Sequence, residues 1–195
     1  MARLVEQAGP VELSPAAEPH FDALVRAIIY QQLAGSAAAA IHRRLIAAAE
    51  GAVSPERLLA LPAETLRAAG LSGAKAASVT DLAAKVLDGT VVLDPAGLRA
   101  ESDAEVVKRL SAVRGIGRWT AEMFLMFQLG RADVWPTGDL GVRKGFGLAW
   151  GIVMPTAKEL EPLGEPYRPY RSVLAWYCWR ATELYGTSTA SALTR

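Results

Sequence analysis

Cysteine is almost missing from this sequence, and so are the long apolar runs of membrane proteins. Cys178 is the only cysteine among 195 residues, which excludes an internal disulfide and any zinc or iron–sulfur centre with four cysteine ligands. No apolar run approaches the roughly 20 residues that a bilayer-spanning helix needs. The N-terminal segment also lacks the charged-then-apolar pattern of a secretory signal. We therefore expect a cytoplasmic protein that does not associate with membranes and holds no iron–sulfur cluster.

Charge of one sign is not in large excess either, and a net charge of +1 taken alone argues against a nucleic-acid-binding protein. The distribution is more informative, because the segment from residue 110 onward contains ten Lys or Arg residues against seven Asp or Glu residues. Aromatic residues are scarce before this segment: of fourteen Phe, Trp and Tyr residues, only Phe21 and Tyr30 precede Trp119. Most of these rings are expected in a core, but the skew indicates where a functional site should be sought.

Apolar residues recur at helical spacing along most of the chain, which predicts an all-α fold. Residues 21–29 form one apolar stripe, and residues 36–49 and 74–88 predict two further helices. Ser102 and Glu105 have the spacing of a capping box ahead of another helix. Residues 89–95 have the composition of a strand, but a single strand cannot make a sheet, so we expect an extended connection there.

The segment of residues 110–121, LSAVRGIGRWTA, is the most informative in the chain. One helix is predicted to end before Gly115 and another to begin after Gly117, and these glycines permit positive φ and the close approach of another backbone. Ile116 between them can point into the core and fix the turn. The first N–H groups of the second helix have no intrahelical partner and can hold a phosphate without reading sequence. Arg114 and Arg118 supply positive charge alongside. Gly-x-Gly alone also occurs in ordinary helical connections, but the whole pattern L-x-x-V-x-G-I-G-x-x-T-A is far more specific.

Several segments together resemble the helix-hairpin-helix/Gly-Pro-Asp DNA glycosylases, and among them the AlkA-type DNA-3-methyladenine glycosylase II branch. They are RAIIYQQLAGSAAAAI, AGLSGAKAASVTDLA, VRGIGRWTAEMFLM, the segment around Asp139 and PYRSVLAWYCWRA, in family order over roughly residues 20–185. The resemblance implies a base-excision-repair enzyme whose partner is double-stranded DNA containing damaged bases, a monomer that reaches the nucleoid through DNA. It implies no cofactor for the chemistry, but a Na⁺ or K⁺ ion at the hairpin, held by the main-chain carbonyls of Ser111, Val113 and Ile116. The longer AlkA form has an extra N-terminal domain, for which this chain has no room.

The helical pattern breaks most clearly at residues 130–137, GRADVWPT, which is consistent with two helical lobes. We expect residues 35–133 to form a six-helix barrel lobe that contains the helix-hairpin-helix of residues 110–129. Residues 1–34 and 134–195 are expected to form the second lobe, with the active-site cleft between the lobes.

Asp139 lies in the segment WPTGDLGVRK, which predicts a loop that enters a helix. Asp139 can be the N-cap of that helix, and by the resemblance it is also the catalytic aspartate. The two roles are compatible, because a capping carboxylate is held rigidly.

Cleavage of an N-glycosidic bond builds positive charge on the sugar, and glycosidases usually employ two carboxylates. An alkylated purine such as 3-methyladenine or 7-methylguanine is already cationic and leaves as a neutral base, so one carboxylate can suffice. Asp133 lies outside the family pattern.

A base in a duplex must be rotated out of the stack before it can reach a carboxylate in a protein pocket. By the resemblance, Trp119 and Trp179 are the stacking residues of that pocket, and Tyr30 and Met123 line it. An indole face favours a cationic base by roughly 0.5–2 kcal/mol per contact. The AlkA pattern has a tyrosine where this chain has Met123, which leaves the range of damaged bases open.

The resemblance also implies the residues that contact DNA. The wedge that fills the gap left by the rotated base is Gln32 or Leu33, with Gln32 slightly favoured; Leu33 can instead complete the apolar stripe of the first helix. The other implied contacts to DNA are Arg114, Gly115, Gly117, Arg118, Thr120, Arg143 and Lys144.

Two other functions fit parts of the pattern. A relative that excises uracil or mismatched thymine would need polar side chains to read a neutral base, where this sequence offers mainly Trp and Met. A non-catalytic hairpin module would bind DNA and need neither Asp139 nor aromatic residues beside it. Relatives that also cut the strand carry a lysine at the position of Trp119, which attacks the sugar and forms a Schiff base. None of the five lysines occupies that position, so we expect a monofunctional enzyme with water as the nucleophile.

Overall fold

The computed structural model describes residues 2–11 and 13–186, which form helices joined by turns and loops, with no strand among them. The predicted all-α fold is confirmed. Residues 91–94 form the expected extended connection between two helices. None of the helices in the described part combines the length and the apolar character that crossing a membrane requires.

The described residues form twelve α-helices, one π-helical segment and one 3₁₀ turn. In chain order the α-helices are α1 (Ala2–Ala8), α2 (His20–Tyr30), α3 (Gly35–Ala48), α4 (Pro55–Ala60), α5 (Ala63–Ala68), α6 (Gly73–Leu87), α7 (Pro95–Ala100), α8 (Asp103–Leu110), α9 (Arg118–Met123), α10 (Leu140–Trp150), α11 (Ala157–Leu163) and α12 (Arg171–Tyr185). The π-helical segment, Phe124–Gln128, continues α9, and the 3₁₀ turn is Glu165–Tyr167.

Side-chain caps determine where many of the shorter helices begin. Ser54 and Ser72 accept hydrogen bonds from backbone amides of the first turns of α4 and α6. The predicted capping box of Ser102 and Glu105 begins α8, and a second capping box begins α11. Each cap contributes roughly 1 kcal/mol, which matters for helices of six to eight residues that cannot be stable on their own.

The helices fall into two compact units, and one of them comprises residues 17–124. Its core contains the stripe predicted on α2, with Leu24, Ile28 and Ile29 fully buried. Helix α2 packs against α3 and α6. This corrects the predicted boundaries: residues 17–34 were expected in the lobe of the C-terminal segment, but the buried face of α2 places them in this unit. Residues 125–133 belong instead to the other unit.

The second unit comprises the described residues of the ranges 2–16 and 125–186. Its centre is the packing of α10 against α12, and α1 packs on α12 through Leu4, Tyr177 and Ala181. Gly145 permits the close approach of α10 to α12, because a Cβ at this position would collide with the backbone carbonyl of Cys178. Residues 187–195, which the sequence assigns to this lobe, lie outside the described residues.

Candidate active site

Asp139 is the N-cap residue of α10, as the sequence indicates. Its Oδ1 accepts a hydrogen bond of 2.7 Å from the backbone amide of Val142 and another of 2.9 Å from the indole Nε1–H of Trp179. The Asp139 amide in turn donates to the carbonyl of Pro136 at 2.9 Å. Two donors on one oxygen complement a negatively charged carboxylate and fix its orientation. The capping role of Asp139 is therefore present, and it holds the carboxylate in a defined position.

Trp179 lies on α12 and is half-buried beside Asp139. Gly141, two residues beyond Asp139, leaves room for the indole, because a Cβ there would lie 2.7 Å from Cδ1 of Trp179. Trp179, which the resemblance implies as a stacking residue of the base pocket, thus also contacts Asp139 through a direct hydrogen bond. The nearby thiol of Cys178 is buried, and burial together with the negative charge of Asp139 raises its pKa far above the usual range. Burial of the thiol and its raised pKa both disfavour the thiolate form that a nucleophile needs.

Phe127 is an aromatic residue of this site that the sequence interpretation missed. Its ring lies 5.9 Å from that of Trp179, centroid to centroid, with an interplanar angle of 32°, and the side chain is 42% exposed. Phe127 lies on the π-helical segment, a feature that is frequent at functional sites. The two rings and the carboxylate of Asp139 form one continuous group, which we call the aromatic site (Phe127, Asp139 and Trp179). The available sequence signal was an aromatic residue, Phe127, immediately after the apolar run FLM.

Asp133, the other aspartate of this unit, is held in an ion-pair cluster. Its carboxylate accepts hydrogen bonds from Arg168 at 2.6 Å and from Nε of Arg171 at 2.7 Å. Burial opposes the charge of Asp133, but hydrogen bonding and charge from Arg171, with the charge of Arg168, prevail and lower its pKa. The carboxylate of Asp133 is thus bound by two arginines.

Arg143 and Lys144 follow Asp139 on α10 but differ in their surroundings. Arg143 is half-buried, and its Nε–H donates to the carbonyl of Pro155 at 2.8 Å. Lys144 is exposed, and its Nζ lies 3.7 Å from the Cβ position of Gly186, at the end of α12. Trp179 precedes Gly186 by seven residues, or about 10 Å along a helix. The amine of Lys144 therefore lies at the end of α12, about two turns beyond Trp179.

The predicted hairpin is formed by α8, the turn of residues 111–117 and α9. Ile116 is buried, as expected, and its amide donates to the carbonyl of Val113 at 3.1 Å. The amide of Arg114 donates to the carboxylate of Asp81 on α6 at 2.7 Å, and Lys85 donates to the same carboxylate. The hydrogen bond from Lys85, followed by that from the Arg114 amide, lowers the pKa of Asp81. A side chain of α6 thus fixes the turn from outside.

The two hairpin glycines serve different purposes, which corrects the expectation that both use their conformational freedom. Gly115 has φ of 77° and lies against α6, where a Cβ would meet the hydroxyl of Ser78 at 2.6 Å. Gly117 has φ of −92° and ψ of 174°, an extended conformation open to any residue, and it is the N-cap of α9. A Cβ at Gly117 would have no neighbour within 4 Å. Gly117 therefore leaves open surface at the first amides of α9.

The arginines of the hairpin are on the surface, but Thr120 is not. Arg114 is exposed, and the side chain of Arg118 is 76% exposed while its Nε pairs with Glu122. Thr120 was predicted to contact DNA, yet it is only 7% exposed and its hydroxyl accepts a hydrogen bond of 3.5 Å from Gln31. The side chain of Thr120 therefore supports the hairpin from within the unit.

The remaining predicted pocket and wedge residues lie in the unit of residues 17–124. Trp119 is 49% exposed on α9, Met123 is half-buried at the end of the same helix, and Tyr30 is the last residue of α2. Gln32 and Leu33 follow α2 and are exposed. The structure thus brings Asp139 and Trp179 together in one unit and places the hairpin, Trp119 and the wedge residues in the other.

The carbonyls of Ser111, Val113 and Ile116 belong to a turn that lines a surface concavity together with Asp81 and Lys85. Carbonyl oxygens are suitable ligands for a monovalent cation. The carbonyl of Val113 accepts the Ile116 amide, and a carbonyl oxygen has a second lone pair. The residues present therefore fit such an ion.

An all-helical fold with a glycine hairpin and an aspartate held at a helix start defines a class of DNA repair proteins. The family model of the HhH-GPD superfamily of base excision DNA repair proteins matches residues 25–169, and the chain belongs to this family. Among curated proteins it is 33% identical to DNA-3-methyladenine glycosylase 1 of Schizosaccharomyces pombe over 189 residues, covering 94% of this chain and 81% of that protein.

Solved structures support the same assignment. The fold is similar to that of Schizosaccharomyces pombe 3-methyladenine DNA glycosylase in complex with abasic DNA, with a TM-score of 0.80 and 32% identity over 94% of this chain and 91% of that one. It is also similar to a DNA-3-methyladenine glycosidase from Bacillus halodurans, with a TM-score of 0.86 and 36% identity over 95% of this chain and 85% of that one.

Proposed function

We propose that this protein excises alkylated bases, of the 3-methyladenine and 7-methylguanine type, from double-stranded DNA by hydrolysing the N-glycosidic bond. The observation that carries the proposal is the aromatic site: a carboxylate held by an amide and an indole N–H, next to two aromatic rings. The names of the relatives, which are 3-methyladenine glycosylases, agree with it.

The chemistry follows from the charge of the substrate. An alkylated purine is cationic in the DNA, and the electron-rich faces of Trp179 and Phe127 favour such a base over a neutral one. When the glycosidic bond breaks, the base leaves neutral and the positive charge develops on the deoxyribose. The carboxylate of Asp139 stabilises that charge, and because its orientation is fixed beforehand, little reorganisation is needed at the moment of reaction. A water molecule then adds to the sugar cation and loses a proton, which the Asp139 carboxylate can accept. No general acid is required, because the base leaves as a neutral molecule.

The product is expected to be an intact strand with an abasic site. An indole, that of Trp119, occupies the position where strand-cutting relatives carry a lysine, and it cannot form a Schiff base. Lys144 is the lysine nearest to Asp139 in sequence. It lies on α10, and its Nζ is at the end of α12, beside Gly186. We therefore propose a monofunctional glycosylase.

DNA binding is assigned to the hairpin and to the loop after α2. The open surface at Gly117, with Arg114 and Arg118 exposed beside it, suits a phosphate of the backbone. A Na⁺ or K⁺ ion at the carbonyls of residues 111, 113 and 116 would add positive charge there and stabilise the turn. We further propose a cytoplasmic monomer that is localised to the nucleoid through DNA.

The decisive experiment is an excision assay over a panel of lesions. Duplexes containing 7-methylguanine, 3-methyladenine, uracil or a G·T mismatch are incubated with excess enzyme, and released bases are quantified. We expect release of the two alkylated bases, strands that break only after alkali, and no protein–DNA adduct with borohydride. Release of uracil or thymine alone would favour the mismatch-type function. Binding without release of any base would identify a DNA-binding module, and a trapped adduct would overturn the water mechanism.

A further inference from the structure

The loop after α2 has a backbone conformation that needs support from its surroundings. Helix α2 ends at Tyr30, Gln31 is in an extended conformation, and Gln32 has φ of 56°. A residue other than glycine rarely adopts this left-handed region, and such strain persists only where neighbouring contacts determine the backbone. The amide of Leu33 donates to the carbonyl of Tyr30 at 3.3 Å, which closes the turn. We call residues 31–33 the wedge loop.

Lys75 provides the main support of this loop. Its Nζ donates to the carbonyl of Ile29 at 2.5 Å and to the carbonyl of Gln31 at 2.7 Å, one on each side of the end of α2. The positive charge of Lys75 also complements the negative end of the α2 dipole. Lys75 is half-buried, and burial lowers its pKa. A charged group is thus partly removed from water in order to hold two backbone carbonyls.

The wedge loop is also tied to the hairpin turn. The side-chain amide of Gln31 donates to the carbonyl of Gly115 at 2.9 Å and to the hydroxyl of Thr120 at 3.5 Å. The backbone of Gln31 is therefore held by Lys75 while its side chain holds the hairpin. Any shift of Gln31 changes the distance between the exposed residues of the wedge loop and the first amides of α9.

Helix α6 contacts both elements with one face. Lys75, Ser78, Asp81 and Lys85 recur three or four residues apart, the spacing of one helical face. Lys75 in the first turn contacts the wedge loop, Ser78 lies against Gly115, and Asp81 accepts the Arg114 amide. Because a helix is stiff, α6 fixes the separation of the wedge loop from the hairpin turn.

We propose that Lys75 is a positioning residue for base rotation: it holds the wedge loop in the strained conformation that presents Gln32 and Leu33 to DNA at a fixed distance from the phosphate-binding hairpin. The inference rests on the proposed function. Without Lys75 the loop relaxes, the wedge is displaced, and the target base is rotated out less often, while the aromatic site is unchanged and the hairpin turn keeps its contacts with Ser78 and Asp81. A misplacement of about 1 Å can cost roughly 100-fold in rate.

The test compares a paired lesion with an unpaired one. Single-turnover release of 7-methylguanine is measured opposite cytosine and opposite a tetrahydrofuran abasic analogue, where rotating the base out costs less. For Lys75→Met we expect a loss of about tenfold to a hundredfold on the paired substrate. The loss on the unpaired substrate should be much smaller. Lys75→Arg, which keeps charge and donors, should recover most of the paired-substrate rate. Lys158→Met, which removes an exposed lysine of α11, outside the hairpin and the wedge loop, should match the wild type on both substrates.

A second measurement does not require excision. In a duplex with 2-aminopurine opposite a tetrahydrofuran site, an inserted wedge unstacks the 2-aminopurine and raises its fluorescence. The wild type and Lys158→Met should give this increase, and Lys75→Met should give little of it at saturating protein. Equal loss on paired and unpaired lesions, or a normal fluorescence increase for Lys75→Met, would overturn the positioning role. Failure of both Lys75→Met and Lys75→Gln to fold would overturn it as well, since Lys75 would then be needed for the fold.

Absence of 7-methylguanine release by the wild type would instead refute the proposed function. The fluorescence comparison would still decide the role of Lys75.

Discussion

The hairpin turn of residues 111–117 and the segment around Asp139 are held by opposite arrangements. In the hairpin, side chains from elsewhere, Asp81 and Gln31, bind backbone groups, so that the backbone itself becomes the exposed functional surface. At Asp139, a backbone amide and an indole bind the side chain, so that a carboxylate becomes the functional group. The first arrangement suits a repetitive partner such as a phosphate backbone, and the second suits one reacting atom. We therefore expect mutations in the hairpin to change binding and mutations around Asp139 to change rate.

The largest effect is expected for Asp139→Asn. Asparagine keeps an oxygen that can accept from Val142 and Trp179, but it lacks the charge that stabilises the sugar cation. Single-turnover excision of 7-methylguanine should fall at least about 100-fold, while affinity for the duplex, measured by fluorescence anisotropy, stays within about twofold. Asp133→Asn is the matched control; it should lower thermal stability by weakening the cluster with Arg168 and Arg171 but leave excision by the folded protein intact. A near-normal rate for Asp139→Asn would remove Asp139 from the mechanism.

The second largest effect is expected for a substitution in the hairpin, which tests whether the exposed backbone there binds DNA. Gly117→Val meets no steric obstacle within the protein, but its side chain covers the first amides of α9. Affinity for damaged and undamaged duplex should fall alike, by about tenfold, equivalent to one charge-assisted hydrogen bond. Wild-type binding should weaken steeply as salt rises. A loss confined to damaged DNA would contradict phosphate binding by the hairpin.

A smaller effect is expected when the aromatic site loses one ring. Phe127→Leu keeps an apolar side chain but removes the ring next to Trp179, so release of 7-methylguanine should slow by about twofold to tenfold. Phe146→Leu is the control, because Phe146 stacks on Trp150 with ring centroids 4.0 Å apart in the core of the same unit. This variant should lose thermal stability with unchanged kinetics. Equal kinetics for both variants would exclude Phe127 from contact with the base.

The smallest effect is expected for Asp81→Asn, which removes the carboxylate that holds the hairpin turn. Its effect on stability should depend on pH. The pKa of Asp81 is lowered in the folded state by Lys85 and the Arg114 amide, so its contribution to stability is complete above the unfolded-state pKa of about 4 and is lost as pH falls through the native value. The wild type should exceed Asp81→Asn in unfolding free energy by less than about 1 kcal/mol. This difference, measured by denaturant unfolding between pH 3 and 7, should be constant above about pH 5 and shrink below about pH 4. If the difference in unfolding free energy instead grew as the pH fell, Asp81 would not stabilise the fold through its charged form.

The features that were predictable from sequence are those encoded over short distances along the chain. The start of α8 depends on Ser102 and Glu105, and the burial of Ile116 follows from its place between two glycines. Asp139 could be assigned both as a cap and, through family resemblance, as the candidate catalytic group. The caps and the buried turn require only residues within one or two helical turns, whereas the catalytic assignment rests on family motifs spread over roughly residues 20–185.

What could not be predicted depends on contacts between residues far apart in sequence. The ring of Phe127 meets Trp179 across 52 positions, and Lys75 reaches the carbonyls of α2 across more than 40. The unit boundary was misplaced because the apolar face of α2 can pack on either neighbour, and periodicity does not say which. The hydrogen bond from Gln31 to the hydroxyl of Thr120 joins residues 89 positions apart, so the sequence did not predict it.

The close approach of α10 to α12 at Gly145 has a consequence for how this protein tolerates change. Because any side chain at position 145 would strike the carbonyl of Cys178, the helix that begins at Asp139 would be pushed away from the helix that carries Trp179. In a saturation mutagenesis screen for survival of alkylating agents, position 145 should therefore be as intolerant as position 139. Soluble expression would separate the two, since Asp139→Asn accumulates as folded protein and Gly145→Val does not. Intolerance at position 145 would reflect the required spacing of α10 and α12 and would not identify a catalytic residue.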